Sequence, residues 1–389
     1  MVHVFIVGSK GIPAQYGGFE TFVENLTAGK RSPDVQYHVS CMNQDEKHFA
    51  YNVADCFNVM LPLPGAPGRI LHVSRALSHV ERWCRENPGQ SVIVYILGCR
   101  IGPLLIVHAK RLHKLGVEIF CNPDGLEWKR GKWNWMAKRF LKLCERCLVC
   151  CSDLVICDSK GIEDYIRKTY GKSVKETTYI AYGAPVNRSA CPEDEFLAWC
   201  RKHDIQPGNY YLSIGRFVPE NNIETVIREF MASFVRRDLV IVTNMEHNRF
   251  YRELLKRTNF LSDRRIKFVG TEYNTELVKM IRENARGYIH GHEVGGTNPS
   301  LLEALASTRL NLLLDVPFNR EVAEDAGLYW EKTAGSLSLL LNETEKLNDD
   351  HLDELGKAGL RRIKTHYSWD QICARYEQLW LKENAEWIS

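Results

Sequence analysis

Short apolar runs rich in Val and Ile recur through the first half of the chain, at 2–7, 37–41, 92–97, 117–121 and 154–157. Their length and β-branched content predict buried strands. Between them, apolar positions at helical spacing predict helices near 19–28, 70–86, 102–115, 132–150 and 160–170. Alternation of this kind predicts a parallel sheet covered on both faces. It pauses at Tyr182-Gly183-Ala184-Pro185 and the acidic stretch 192–195, then resumes. The second series has strands at 210–214, 239–243, 266–269, 287–290 and 310–314, with helices near 222–235, 248–258, 274–284, 299–308 and 350–366. The expected architecture is α/β: two doubly wound, Rossmann-like domains at 1–183 and 184–367, with the boundary between 183 and 208. An amphipathic helix is expected within 368–389. Two such domains facing each other make a cleft, and ligands bind beyond the carboxyl ends of the strands.

A length of 389 residues suits two domains. Charge sharpens the picture, because it is unevenly spread. Residues 1–185 hold 24 Lys and Arg against 17 Asp and Glu, and the remainder 27 against 31. The basic half suggests an anionic partner: phospholipid, a phosphorylated substrate or nucleic acid. Nucleic acid is the weakest of these, since no reading motif accompanies the modest charge. No run of about 18 apolar residues is present to span a bilayer. The run 2–7 ends at Gly8-Ser9-Lys10 without a signal-peptide pattern. A cytoplasmic protein is therefore expected, with its thirteen cysteines reduced. Cys144, Cys147, Cys150 and Cys151 are spaced partly like an iron–sulfur run, but Leu154-Val155 stands where a fourth Cys and a Pro belong. Helix packing is the expected use of these thiols.

Four loops could carry chemistry. The first, from Gly8 to Glu20, follows a strand and opens a helix, where free amides and the helix dipole favour an anion. Its glycines at 8, 11, 17 and 18 do not spell the dinucleotide fingerprint. The second, Gly215-Arg216-Phe217-Val218-Pro219-Glu220-Asn221-Asn222, places an Arg at a strand mouth, suited to a diphosphate or to a surface ion pair. The third runs from His290 through Gly295-Gly296-Thr297-Asn298-Pro299-Ser300 into a helix. Asn298 is a good N-cap and Pro299 a good first helical residue. Glu303 is then free for a ligand, unless Ser300 and Glu303 form a capping box instead. His290 and His292 lack a third ligand at metal-site spacing. In the fourth, Asp124 follows a strand end, where a general base or a sugar-binding carboxylate belongs. After it, Lys129, Arg130, Lys132, Trp133, Trp135, Lys138 and Arg139 mix cations with tryptophans, as in a helix resting on anionic lipid. The alternative is that the aromatics face the core.

Together these strings resemble glycosyltransferase family 4, of retaining GT-B fold, and more narrowly bacterial surface-polysaccharide rhamnosyltransferases. The likeness rests on Gly8 to Ala14 and Tyr16 to Glu24, on Asn122 to Arg130, on Gly215 to Asn222, and on Gly291 to Ala304. Tyr367-Ser368-Trp369-Asp370 with the helix after it resembles the family's last helix, which crosses back to the first domain. The resemblance implies that Arg216 holds the donor diphosphate and Glu303 the ribose. It also implies that Gly295, Gly296, Thr297 and Asn298 hold sugar and diphosphate, and that Gly17 and Gly18 line the opposite wall. Two departures stand out. Asn221 occupies a position where broad family members carry Lys, and Gly295 one where they carry Glu, the nearest acid being Glu293. The leaving diphosphate must then depend more on Arg216 and on helix N-termini.

The expectation is transfer of L-rhamnose from dTDP-β-L-rhamnose to a polyprenyl-diphosphate-linked glycan, at the inner face of the cell membrane. The first domain would serve acceptor and membrane, the second the nucleotide sugar. No cofactor and no metal are expected, since the chain has no Asp-X-Asp pair to clamp a divalent ion on a diphosphate. Asp124 is the candidate for acceptor positioning or proton removal. Competing readings are a transferase using a UDP- or GDP-sugar, a nucleotide-sugar epimerase of the same architecture, and a non-catalytic membrane-docked module.

Overall fold

The computed structural model describes residues 1–389 apart from 15–16, 43–46, 62, 64, 131–132, 246–247 and 384–389. The chain divides into two compact units: Met1–Gly183 with Trp369–Ser389, and Ala184–Ser368.

The first unit runs β1 (Val2–Val7), α1 (Gly18–Ala28), β2 (Val35–Met42), β3 (His48–Tyr51), β4 (Ala54–Val59), α2 (Gly65–Glu86), β5 (Ser91–Leu97) and α3 (Leu104–Lys114). It continues with β6 (Glu118–Asn122), α4 (Trp135–Cys151), β7 (Leu154–Cys157), α5 (Lys160–Tyr170) and β8 (Thr177–Tyr179). The strands form one sheet in the order β3-β4-β2-β1-β5-β6-β7-β8, parallel throughout except for the β3–β4 pair. β1 pairs with β2 on one side and β5 on the other, so the chain reverses its direction of travel there. Loops following β1 and β5 thus meet at a topological switch point, where open α/β sheets bind ligands. Val4 to Val7 and Val92 to Leu97 are buried, as strands covered by helices on both faces require. Cys144 and Cys147 of α4 are buried in the same unit, and all thirteen cysteines are free thiols.

The second unit contains α6 (Glu193–His203), β9 (Tyr210–Ile214), α7 (Ile223–Ala232), β10 (Asp238–Val242), α8 (Arg249–Thr258), β11 (Ile266–Gly270) and α9 (Thr275–Glu283). Then follow β12 (Gly287–His290), α10 (Pro299–Ser307), β13 (Asn311–Leu314), α11 (Pro317–Ala323), β14 (Leu328–Trp330), α12 (Ser336–Thr344) and α13 (Asp349–His366). Its sheet is wholly parallel, in the order β11-β10-β9-β12-β13-β14, with the switch point between β9 and β12. The acidic stretch that the sequence suggests as a pause is the first turn of α6. Glu193, Asp194 and Glu195 lie at its positive end, while Phe196, Trp199 and Cys200 bury the opposite face.

The last helix, α14 (Trp369–Leu381), packs on the first unit. Trp380 Nε1 donates to Tyr37 Oη at 3.2 Å, and its ring lies 5.8 Å from that of Phe120 and 5.4 Å from those of Tyr95 and Tyr376. Glu377 accepts from the backbone N–H of Arg31 at 2.7 Å, and Arg375 donates to the Tyr179 carbonyl at 2.6 Å. Strands β2, β5 and β6, on both sides of β1, are thereby tied to one helix.

Candidate functional site

In the second unit, two loops leave adjacent strands and are stitched to each other. After β9 the chain passes Gly215, Arg216, Phe217 and Val218 into a single 3-10 turn, Pro219–Asn221. The Asn221 amide nitrogen donates to the Arg216 carbonyl at 2.7 Å, and its oxygen lies 2.9 Å from His292 Nδ1. An amide oxygen can only accept, so Nδ1 carries the proton. Asn222 donates to the Gly291 carbonyl at 2.8 Å and to Glu293 Oε2 at 3.0 Å. The backbone of Glu293 donates to that of Glu220 at 3.1 Å. A β-carbon at Gly291 would collide with the Asn221 carbonyl, which is why this crossing needs glycine. Asn221 therefore braces the loop from within, its amide engaged on both sides. Arg216 differs: its guanidinium is exposed and makes no ion pair among the described residues.

The loop after β12 ends at α10, capped by Asn298, whose side-chain oxygen accepts from Ser300 N–H at 2.9 Å, with Pro299 at the first helical position. The Ser300–Glu303 capping box does not form. Ser300 Oγ instead lies 2.9 Å from Tyr288 Oη. Glu303 Oε2 lies 2.6 Å from Arg282 Nη2. The Arg282 partnership has no signature in sequence, because Arg282 sits on another helix. Gly296 and Thr297 are buried, and Gly295 has φ of 137°, a backbone region open to glycine. His290 is buried, with its pKa pushed down to about 3 by burial and then by His292, so its imidazole is neutral. Thus Arg216, Asn221, Gly295, Gly296, Thr297, Asn298 and Glu303 all lie on the loops and helix that follow β9 and β12.

In the first unit, the loop after β1 is held by two acids of α1. Glu20 Oε1 accepts from Lys10 N–H at 2.8 Å, and Glu24 Oε1 from Ala14 N–H at 3.3 Å and from Tyr51 Oη at 2.6 Å. Their i, i+4 spacing beside a glycine-bearing loop is the signal available in sequence; Tyr51 lies on a strand that periodicity does not reveal. Gly17 precedes α1 with φ of 144°, and around Gly18 the space is open where a β-carbon would stand.

Asp124 follows β6 with φ of 67°, in the left-handed region. Its backbone N–H donates to Asn122 Oδ1 at 2.8 Å, and its own Oδ1 accepts from Gly125 N–H at 2.8 Å. Although 29% of the side chain is accessible, burial raises its pKa, opposed chiefly by Arg130, whose Nη2 is 3.9 Å away. A raised folded-state pKa means that ionising Asp124 costs stability. That cost is absent below the ordinary carboxylate range and grows as pH rises through the folded value. Asp124→Asn tolerates the same backbone region and keeps an acceptor for Gly125. It should therefore raise Tm at pH 7 by a few degrees and not at pH 3.5; equal shifts at both would rule out titration as the cause.

The basic, Trp-rich segment divides. Arg130 Nε donates to Glu127 at 2.8 Å, and Trp133 Nε1 to the same carboxylate at 3.2 Å, so both belong to the Asp124 loop and neither is a free surface group. Buried Glu127 needs partners, and these two half-buried side chains are in reach. Lys129 is exposed, Lys138 half-buried, and Lys132 lies outside the described residues. Trp135 is 68% exposed, with the guanidinium of Arg139 stacked at 5.8 Å from its ring, and Phe140 is 45% exposed. The alternative, a core-facing set of aromatics, does not describe Trp135 and Phe140.

Comparison with known proteins places this geometry. Residues 1–185 match a domain of unknown function, DUF1972. No curated protein matches the chain. Among solved structures, sucrose-phosphate synthase from Thermosynechococcus elongatus superposes with TM-score 0.75 at 16% identity, covering 98% of each chain. The Anabaena protein HepE in complex with UDP gives TM-score 0.72 at 11% identity, over 98% of this chain and all of that one. A glycosyltransferase from Rickettsia africae gives TM-score 0.72 at 11% identity, over 98% of this chain and 99% of that one. At such identities the likeness concerns architecture, and the chain has the GT-B fold, built from two Rossmann-like domains.

Proposed function

We propose that the protein is a glycosyltransferase that works without a metal ion. It moves L-rhamnose from dTDP-β-L-rhamnose, with retention, to a glycan on a polyprenyl-diphosphate carrier in surface-polysaccharide synthesis. The observation that carries this reading is the exposed Arg216 guanidinium, without an ion pair among the described residues, on the loop after β9, with the glycine-rich N-terminus of α10 following the adjacent strand β12. Breaking the sugar–diphosphate bond leaves negative charge on the departing diphosphate. A fixed guanidinium and helix-terminal amides stabilise that charge without reorganising. Glu303 would accept from the ribose, Gly17 and Gly18 would line the opposite wall of the donor site, and Asp124 would position the acceptor. The fold is shared with structures described as holding UDP or a UDP-2-fluoro glucose, which favours a nucleoside diphosphate as ligand.

The acceptor's lipid would be met at α3 and α4. Trp135, Met136, Phe140 and Leu143 are exposed on α4, as are Leu104, Ile106 and Val107 on α3, with Lys129 and Arg139 nearby in sequence. Apolar side chains among cations suit an anionic bilayer surface, and among the described residues no helix is long and apolar enough to cross one. The site of action would be the inner face of the cell membrane.

The deciding experiment offers dTDP-rhamnose, UDP-glucose and GDP-mannose, each with and without a lipid-linked acceptor, in the presence of EDTA. Acceptor-dependent consumption of dTDP-rhamnose is expected. Acceptor-independent isomerisation would identify an epimerase, and vesicle binding without turnover a docking module. A strict metal requirement would sink the electrostatic argument. For the membrane, co-sedimentation with phosphatidylglycerol vesicles should fall at least tenfold for Trp135→Ser with Phe140→Ser, and retention by neutral vesicles as strong as by anionic ones would contradict it.

A further inference from the structure

Behind Glu303 stands a buried cation that the donor reading leaves unused. Arg282, on α9, is 5% exposed. Its Nη2 lies 2.6 Å from Glu303 Oε2 and 3.3 Å from Ser300 Oγ, while its Nε is buried without a hydrogen-bond partner among the described residues. Ser300 Oγ is 2.9 Å from Tyr288 Oη, which donates in turn to the Ile214 carbonyl at 3.2 Å. Ile214 is the last residue of β9, two before Arg216. The network therefore joins α9, α10 and the root of the Arg216 loop.

Burying a guanidinium is costly unless its charge and donors are engaged. Here one carboxylate answers it, and that carboxylate is not itself buried: the Glu303 side chain keeps 32% of its surface. A purely structural staple gains nothing from an accessible partner. An accessible carboxylate anchored from behind by a fixed cation is, by contrast, a preorganised acceptor for a hydroxyl. The pairing also cancels a negative charge beside the loop proposed to receive a diphosphate, where an unpaired carboxylate would repel the ligand.

We propose that Arg282 is a positioning residue for nucleoside recognition. It fixes the Glu303 carboxylate to accept from the ribose of a nucleoside diphosphate and neutralises it against the phosphates; the inference rests on the donor reading above. Calorimetric titration of the full chain with UDP, 2′-deoxy-UDP and dTDP tests it. Arg282→Gln should weaken the nucleotides that the wild type binds by roughly 10- to 100-fold, the range for a hydrogen bond to a charged group. Arg282→Lys, which keeps the charge but not the planar fork, should lose less and remains informative if the glutamine variant fails to fold. In a Glu303→Gln background the same change at Arg282 should cost less than about twofold, since its target is gone. Folded Arg282 variants binding at wild-type strength would overturn the inference, as would an equal loss in both backgrounds. A wild type that binds no nucleoside diphosphate would overturn the donor reading first, and this inference with it.

Discussion

Arg216→Ala should lower kcat/KM for sugar transfer by roughly 100- to 1,000-fold, the effect of removing one fixed charge-stabilising donor from a developing anion. Tm should stay within about 2 °C of wild type. The side chain is exposed and makes no ion pair among the described residues, whereas the loop that carries it is held by Asn221, Asn222 and the Glu220–Glu293 backbone bond. The loss should appear in kcat as well as in KM, because charge builds on the diphosphate as the bond breaks. Arg216→Lys should recover only part, keeping the charge without the two-pronged fork. Asn221→Ala is the control for the bracing role. It removes the link between Arg216 and His292, so its activity should fall less steeply and its Tm by more. Near-normal turnover by Arg216→Ala would remove the donor assignment, however well the fold matches.

Much of the architecture is legible in sequence because the strands are buried on both faces and read as continuous Val- and Ile-rich runs. β7 and β12 occupy the stretches that periodicity predicts, 154–157 and 287–290. Elements that escape it have a physical reason. β3 is an edge strand with alternate residues exposed, so it has no apolar run, and α6 begins with three acids that look like a linker until its buried Phe196 and Trp199 are seen. In the site, residues that fill a loop or cap a helix are visible from local pattern, as Asn298 is. Residues that act from another element are not. Arg282 reaches Glu303 from a separate helix, and Tyr51 reaches Glu24 from a strand periodicity does not reveal. Arg130 and Trp133 are read from composition as part of a basic aromatic surface, and their shared hydrogen bonds to buried Glu127 have no signature in that composition.

Trp380→Ala should cost the first unit about 3–5 kcal/mol of stability. The indole is 1% exposed, touches three other aromatic rings, and donates its only N–H to Tyr37, so truncation leaves both a cavity and a buried phenol short of a partner. At about 2–4 °C per kcal/mol for a unit of this size, the transition of the first unit should fall by roughly 6–20 °C in differential scanning calorimetry. The transition of Ala184–Ser368 should stay in place, because α14 belongs to the first unit. Trp380→Phe, which keeps the ring contacts and gives up the hydrogen bond, should separate the terms by costing a third or less of that amount. Function should follow stability here by a specific route. Tyr37, Tyr95 and Phe120, which pack around the indole, lie on β2, β5 and β6, and Asp124 leaves the end of β6. If α14 merely decorates the surface, Trp380→Ala will shift Tm by under 2 °C; if it braces the strand ends, acceptor KM will rise at temperatures where the variant is still folded.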